Sequence, residues 1–100
     1  EYAGIGSVIS KKGDQVIIRE PYKDSPADKA GLLPGDIILA IDGISVKGKN
    51  TEEVSTLLKG QPGKEITIKV QREFETKPLE KKAIREKIQL PSVPYSDISI

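Results

Sequence analysis

The sequence has no histidine, cysteine, methionine or tryptophan among its 100 residues. Without cysteine there is no thiolate nucleophile, disulfide or thiolate metal site, and without histidine there is no imidazole base or histidine-bound zinc. Nucleophilic catalysis of the Ser-His-Asp or Cys-His type is therefore excluded within the chain. We expect a domain that is not itself an enzyme, with no cofactor and no metal. The missing methionine also leads us to expect a fragment of a longer protein.

Length and charge limit the remaining possibilities. One hundred residues is the size of a single domain, and Ile, Val, Leu and Phe make up more than a quarter of them, enough for a folded core. Basic and acidic residues nearly cancel, 16 against 15, which is typical of a solvated surface and not of nucleic-acid or lipid binding. No apolar run approaches the ~18 residues of a membrane span, and no signal peptide is recognisable. We expect neither a nucleic-acid partner nor membrane insertion by this segment.

Hydrophobic periodicity predicts a mostly β arrangement with two helices. Alternating or β-branched runs bounded by glycine or proline predict strands, and polar caps ahead of apolar residues at helical spacing predict helices. The clearest helix signal is Asn50 followed three residues later by Glu53, a capping box. In chain order, we expect strands over 4–9 and 15–20, a helix over 25–31, strands over 36–41 and 44–46, a helix over 50–60 and a strand over 65–71. The strand over 36–41 is expected to be buried on both faces.

Residues 79–90 allow two interpretations. One is a helix, because a nearly helical spacing among good helix formers relates Leu79, Ala83, Ile84 and Ile88. The other is a strand, because apolar and polar residues alternate over 84–90. Propensity alone slightly favours the helix.

One stretch has the spacing of a known signature. Residues 25–43 read SPADKAGLLPGDIILAIDG, with S-P-A, A-G-L and P-G-D followed by an apolar strand and a D-G turn. This resembles the central signature of bacterial-type PDZ domains. Gly4-Ile5-Gly6, ahead of the first strand, resembles the carboxylate-binding loop of the PDZ domain in C-terminal processing peptidases. Residues 85–95 resemble the connector by which those peptidases return to the catalytic core.

The resemblance implies both a fold and a context. The fold would be a small, partly open β-barrel or sandwich, mostly β with two helices, in the bacterial, circularly permuted strand order. The PDZ domain would occupy residues 1–72, and residues 73–100 would connect it to a catalytic domain outside the chain, with that family's Ser and Lys pair beyond Ile100. The parent would be a serine-type endopeptidase with an extracytoplasmic location, periplasmic or membrane-associated.

Peptide capture by strand addition needs an anion-binding loop, an open strand edge and an apolar pocket. Glycine admits close main-chain approach, so the candidates for the carboxylate-binding loop are Gly4, Ile5 and Gly6. The candidates for the peptide-pairing strand are Ser7, Val8 and Ile9. The candidates for the side-chain pocket are Ile5, Thr51, Val54, Leu57 and Leu58, of which Thr51 and Val54 are expected to face the groove. An apolar helical stripe of this kind is more often core than pocket.

Two functions remain open for these residues. The first is a module that captures the C-terminal peptides of protein substrates and feeds or regulates a Ser/Lys protease domain of the same parent chain. The alternative is a scaffold or autoinhibitory module whose groove is already occupied and which binds no free peptide. Asp36 and Asp42 could suggest paired acid–base carboxylates, but at turns we expect them to accept main-chain N–H bonds.

Overall fold

A seven-stranded antiparallel sheet forms the frame of residues 3–87 and 97–100, which are the residues described by the computed structural model. The strands are β1 Ser7–Lys12, β2 Gln15–Pro21, β3 Ile37–Ile41, β4 Ile44–Ser45, β5 Glu65–Gln71, β6 Leu79–Ile84 and β7 Asp97–Ser99. The helices are α1 Pro26–Lys29 and α2 Thr51–Leu58. The strand order is β6-β5-β3-β2-β1-β7, with β4 paired to β3. The predicted class, mostly β with two helices, is confirmed.

Local signals in the sequence account for the ends of both helices. The Ser25 hydroxyl accepts a hydrogen bond from the Asp28 N–H at 3.2 Å, and Asn50 and Glu53 form the reciprocal capping box, at 2.9 and 3.1 Å. The second helix is shorter than predicted, because Lys59 is already extended. No helix in the described part of the chain is long and apolar enough to cross a membrane.

The predicted turn and the alternation in β5 are confirmed. Asp42 and Gly43 both have positive φ, 50° and 81°, as a type I′ turn requires. In β5 the even-numbered residues Ile66, Ile68 and Val70 are fully buried, while their neighbours face outward.

The structure decides one open question about the strands and corrects one expectation, the burial of β3 on both faces. Residues 79–84 form a strand and not a helix, because β6 pairs with β5 along its whole length, from Glu65↔Ile84 to Val70↔Leu79; long-range pairing outweighs a weak helical propensity. In β3, Ile38 and Ile41 are buried but the other residues are half-buried, and Ile37 and Leu39 line a cavity that is open to the surface. Residues 88–90 lie outside the described residues.

Residues beyond the predicted boundary at 72 join the same sheet. β6 extends it on one side and β7 on the other, and Ala83 belongs to the core. The division into a domain over 1–72 and a connector over 73–100 stays a prediction.

An ion pair ties the turn before β3 to the end of β5. Asp36 is 1% exposed, and its carboxylate accepts two hydrogen bonds from the Arg72 guanidinium, at 2.9 and 2.8 Å. Arg72 also donates to the Gly31 carbonyl, and Asp36 accepts from the Leu33 N–H at 3.0 Å. The hydrogen bonds to Asp36 raise the pKa of Arg72 above its ordinary value, so the Arg72 guanidinium keeps its charge. Asp36 therefore acts structurally, as expected.

Asp36→Asn is expected to lower the free energy of unfolding by about 3 kcal/mol, because it leaves the Arg72 charge without its buried partner. Denaturant unfolding followed by circular dichroism measures this change. Asp14→Asn, in the exposed turn between β1 and β2, removes the same charge and should change stability by less than about 0.5 kcal/mol. Equal losses in the two variants would contradict the role assigned to the pair.

Candidate functional site

The last residues of the chain lie in the gap between β1 and α2. β7 pairs antiparallel with β1, with Val8 opposite Ser99, Ile9 opposite Ile98 and Ser10 opposite Asp97. On its other side β7 lies within 8 Å of α2, measured between Cα atoms. Residues 97–100 therefore fill a groove whose two walls are β1 and α2, as an added strand.

Two consecutive main-chain N–H groups converge on one oxygen of Ile100. Gly6 donates to it at 2.6 Å and Ser7 at 3.1 Å, while the Ile100 N–H donates to the Ser7 carbonyl at 2.9 Å. Gly6 has a φ of +77°, a conformation that side chains rarely adopt. Adjacent N–H groups aimed at one point form an anion-binding concavity, so this turn can hold a carboxylate oxygen.

The residues of the predicted carboxylate loop contribute in different ways. Gly6 supplies a donor. Gly4 supplies space, since a Cβ on it would lie 2.5 Å from the Ile100 carbonyl carbon; its own N–H and carbonyl pair with Glu86, at 3.1 Å each. Ile5 supplies a fully buried side chain, and its carbonyl accepts from the Ala27 N–H. The loop is thus held on its far side by α1.

Ser7 supplies the second donor, although the sequence suggested it only for strand pairing. Its side chain is fully buried, and its hydroxyl lies 3.2 Å from the carbonyl oxygens of both Val8 and Glu20. The hydroxyl is satisfied within the β1–β2 pair, so the main chain of Ser7 is what faces the groove. The β1–β2 register shifts between Val8 and Ile9, next to the donors.

Most of the predicted pocket residues belong to the hydrophobic cluster that also contains the Ile100 side chain, which is 1% exposed. Ile5, Val54 and Leu58 are fully buried in the same hydrophobic cluster as Ile100, and Leu57 packs against it half-buried. Thr51, the first residue of α2, is half-buried. Pocket and core are therefore continuous, so the stripe on α2 serves both.

Sequence reasoning missed Arg85, which binds the end of α2. Its guanidinium donates from Nε to the Leu58 carbonyl at 2.8 Å and from Nη2 to the Leu57 carbonyl at 3.1 Å. The signal for such a contact was present, because α2 has no basic residue in its last turn and the last carbonyls of a helix need donors. The sequence pattern does not indicate which cation supplies them.

The fold and the groove together define a PDZ domain: the family model for this domain matches residues 17–72, and the chain belongs to that family. It is 42% identical over 95 residues to a probable CtpA-like serine protease of Staphylococcus aureus (strain COL), covering 95% of this chain and 19% of that protein. The corresponding protein of Staphylococcus haemolyticus (strain JCSC1435) is 39% identical with the same coverage. The chain thus spans about a fifth of the length of these relatives.

Solved structures point to the same group within the family. The photosystem II D1 C-terminal processing protease superposes with a TM-score of 0.81 at 28% identity, over 90% of this chain and 24% of that one. The PDZ domain of the carboxy-terminal protease from Vibrio cholerae, in complex with peptide, superposes with a TM-score of 0.79 at 30% identity, over 90% of this chain and 100% of that one. The resemblance to PDZ domains of C-terminal processing peptidases is confirmed.

Gly4→Ala is expected to expel residues 97–100 from the groove. Gly4 does not have a positive φ, so its backbone accepts alanine, and the new methyl group would stand 2.5 Å from the Ile100 carbonyl carbon, well inside van der Waals contact. The Ile100 amide, which is bonded to Ser7, should then exchange with solvent about tenfold faster or more, as measured by NMR hydrogen exchange.

Ser45→Thr is the matched control, because it also adds one methyl group, on the exposed strand β4. It should leave the exchange of Ile100 unchanged. Unchanged exchange in Gly4→Ala as well would mean that the close approach of Gly4 and Ile100 does not constrain the groove.

Proposed function

We propose that the chain binds the C-terminal residues of protein substrates in the groove between β1 and α2. The observation that carries the proposal is the manner in which Ile100 is held: its main-chain oxygen by two N–H groups, its N–H by the Ser7 carbonyl and its side chain among apolar residues. A substrate terminus offers the same groups, with a carboxylate at the oxygen and an extended main chain that pairs with β1. The peptide complex of the Vibrio cholerae domain supports the proposal.

The proposed ligand is an extended peptide with a free carboxylate and an aliphatic last residue. Strand pairing with β1 is independent of sequence, because it uses main-chain groups, while the pocket selects the last side chain. The contact is small, so affinity should be micromolar or weaker. Ser7, Val8 and Ile9 would pair with the peptide, Gly4, Ile5 and Gly6 would hold its end, and the pocket residues would receive its side chain.

The staphylococcal relatives are described as probable CtpA-like serine proteases and the photosystem II protein as a C-terminal processing protease, which suggests a context for the captured peptide. The module would present substrate termini to, or gate, a Ser/Lys protease domain elsewhere in an extracytoplasmic parent protein. This chain would supply recognition and no catalytic group.

One observation favours a second candidate. Residues 97–100 already occupy the groove and bury the Ile100 side chain. If this occupant does not leave, the module is a scaffold or autoinhibitory unit that binds no free peptide.

Fluorescence anisotropy with a labelled hexapeptide that copies residues 95–100, YSDISI, separates the two functions. The chain itself and the variant Ile100→Asp, which places a charge in the apolar pocket and should evict residues 97–100, are each titrated with the peptide as free acid and as C-terminal amide. The free acid should bind the variant in the micromolar range and at least about tenfold more tightly than the amide, because only the acid offers a charged acceptor to Gly6 and Ser7.

Equal binding of acid and amide would remove the carboxylate site from the account. Binding to the Ile100→Asp variant but not to the original chain would favour the autoinhibitory module. Absence of binding to both folded proteins would contradict the proposed peptide capture. The circular dichroism spectrum of each protein establishes that it is folded.

A further inference from the structure

Arg85 and Glu86 link the end of α2 to the glycine loop, residues 4–6, and the Arg85 side chain is half-buried. At one end, its guanidinium donates to the carbonyls of Leu57 and Leu58, at 3.1 and 2.8 Å. Those residues belong to the last turn of α2, where Leu58 also lines the cluster around the Ile100 side chain. A cation at a helix C-terminus satisfies its free carbonyls and complements its dipole. Arg85 therefore fixes the end of the α2 wall.

The main chain at residues 85 and 86 holds the glycine loop. The residue after Arg85, Glu86, exchanges two hydrogen bonds with Gly4, at 3.1 Å each. Gly4 in turn lies against the Ile100 carbonyl. The main chain of Arg85 is itself anchored, because its N–H donates to the Lys64 carbonyl at 3.0 Å and its carbonyl accepts from the Gly63 N–H at 2.7 Å.

Gly60, two residues after the end of α2, packs closely against both Arg85 and the chain that leads into the glycine loop. It exchanges two main-chain hydrogen bonds with Ala3, at 2.8 and 3.0 Å, and a Cβ at Gly60 would lie 2.8 Å from Nε of Arg85. The guanidinium is thus packed flat against the chain that leaves α2. A movement of Arg85 would shift the end of α2 relative to the glycine loop, residues 4–6.

We propose that Arg85 is a positioning residue that sets the spacing between α2 and the glycine loop, and through it how tightly the groove discriminates the last side chain of its ligand. The part of this inference that concerns ligand selectivity rests on the proposed function. The part that concerns the spacing does not, because the same spacing determines how tightly residues 97–100 are held. Arg85 touches neither the peptide oxygen nor its donors; its side chain acts through Leu57, Leu58 and Gly60.

The first test uses the chain with its own occupant. Arg85→Gln should speed amide exchange at Gly6 and Ser7, the donors to Ile100, about tenfold, since a lost hydrogen bond from a charged donor is of that order. Exchange at Ile68, in the middle of β5, reports global stability and should change much less. Lys82→Gln removes the same charge from an exposed position on β6 and should change neither.

The second test measures selectivity. In the Ile100→Asp background, hexapeptides ending in Ile and in Ala are titrated against the variants. In the Arg85 variants the ratio of the affinities for the Ile and Ala peptides should fall about threefold or more. A pocket whose wall is less firmly positioned packs less closely around the larger side chain and gains less from it. Arg85→Lys keeps a charged donor group. It should therefore recover part of the protection of the Gly6 and Ser7 amides against exchange and part of the preference for the Ile peptide over the Ala peptide. The same variant replaces Arg85→Gln in both tests if Arg85→Gln does not fold.

Two results would overturn the proposal. One is exchange at Gly6 and Ser7 that rises only in proportion to exchange at Ile68, which means that Arg85 stabilises the fold in general. The other is an unchanged Ile preference in the Arg85 variants. If no variant binds peptide at all, the proposed function fails, yet the exchange test still decides the role of Arg85.

Discussion

The main-chain groups along the outer edge of β1 impose the constraint on which the groove depends. A strand edge presents N–H and carbonyl groups that need partners, and in β1 one edge is satisfied by β2 and the other by β7. Pairing along the edge toward α2 uses main-chain groups alone, so under the proposed function this edge would accept an extended segment regardless of its sequence. Under the proposed function, one segment would be distinguished from another at a single end of that pairing, where Gly6 and Ser7 donate to the Ile100 oxygen and the Ile100 side chain joins the hydrophobic cluster.

The geometry of the glycine loop, where the Ile100 oxygen is bound, depends on the absence of a Cβ atom at Gly4 and Gly6. Gly6 adopts a positive φ and turns its N–H toward the same point as that of Ser7. Gly4 lets the Ile100 carbonyl approach to a distance that any Cβ would block. The loop is held from outside, by the bond from Ala27 to the Ile5 carbonyl and by Glu86 on Gly4. The position of the loop is therefore fixed by bonds other than those to Ile100.

Short-range patterns were predictable, and long-range ones were not. The Asn50–Glu53 box and the Asp42–Gly43 turn depend on neighbours within three residues, so the sequence displays them directly. The β6 strand depends on pairing with β5, and the Arg85 cap spans 27 residues; periodicity carries no information about partners so far apart. The glycine loop could be located because its short local pattern resembles a known one. The donor role of Ser7 and the position of Ile100 could not be predicted, because they depend on contacts between residues far apart in the chain.

The central claim is that the Gly6–Ser7 turn and the adjoining edge of β1 form an exchangeable peptide site. The most direct measurement is an NMR titration of the 15N-labelled chain with the free-acid hexapeptide, following every amide resonance. The amides of Gly6 and Ser7 should shift together with those of β1, and the Ile100 amide should lose its hydrogen bond to Ser7, as the peptide replaces residues 97–100. Shifts confined to the ~330 Å³ cavity between β2 and β4, near Gln15 and Lys47, with Gly6 and Ser7 unmoved, would contradict it.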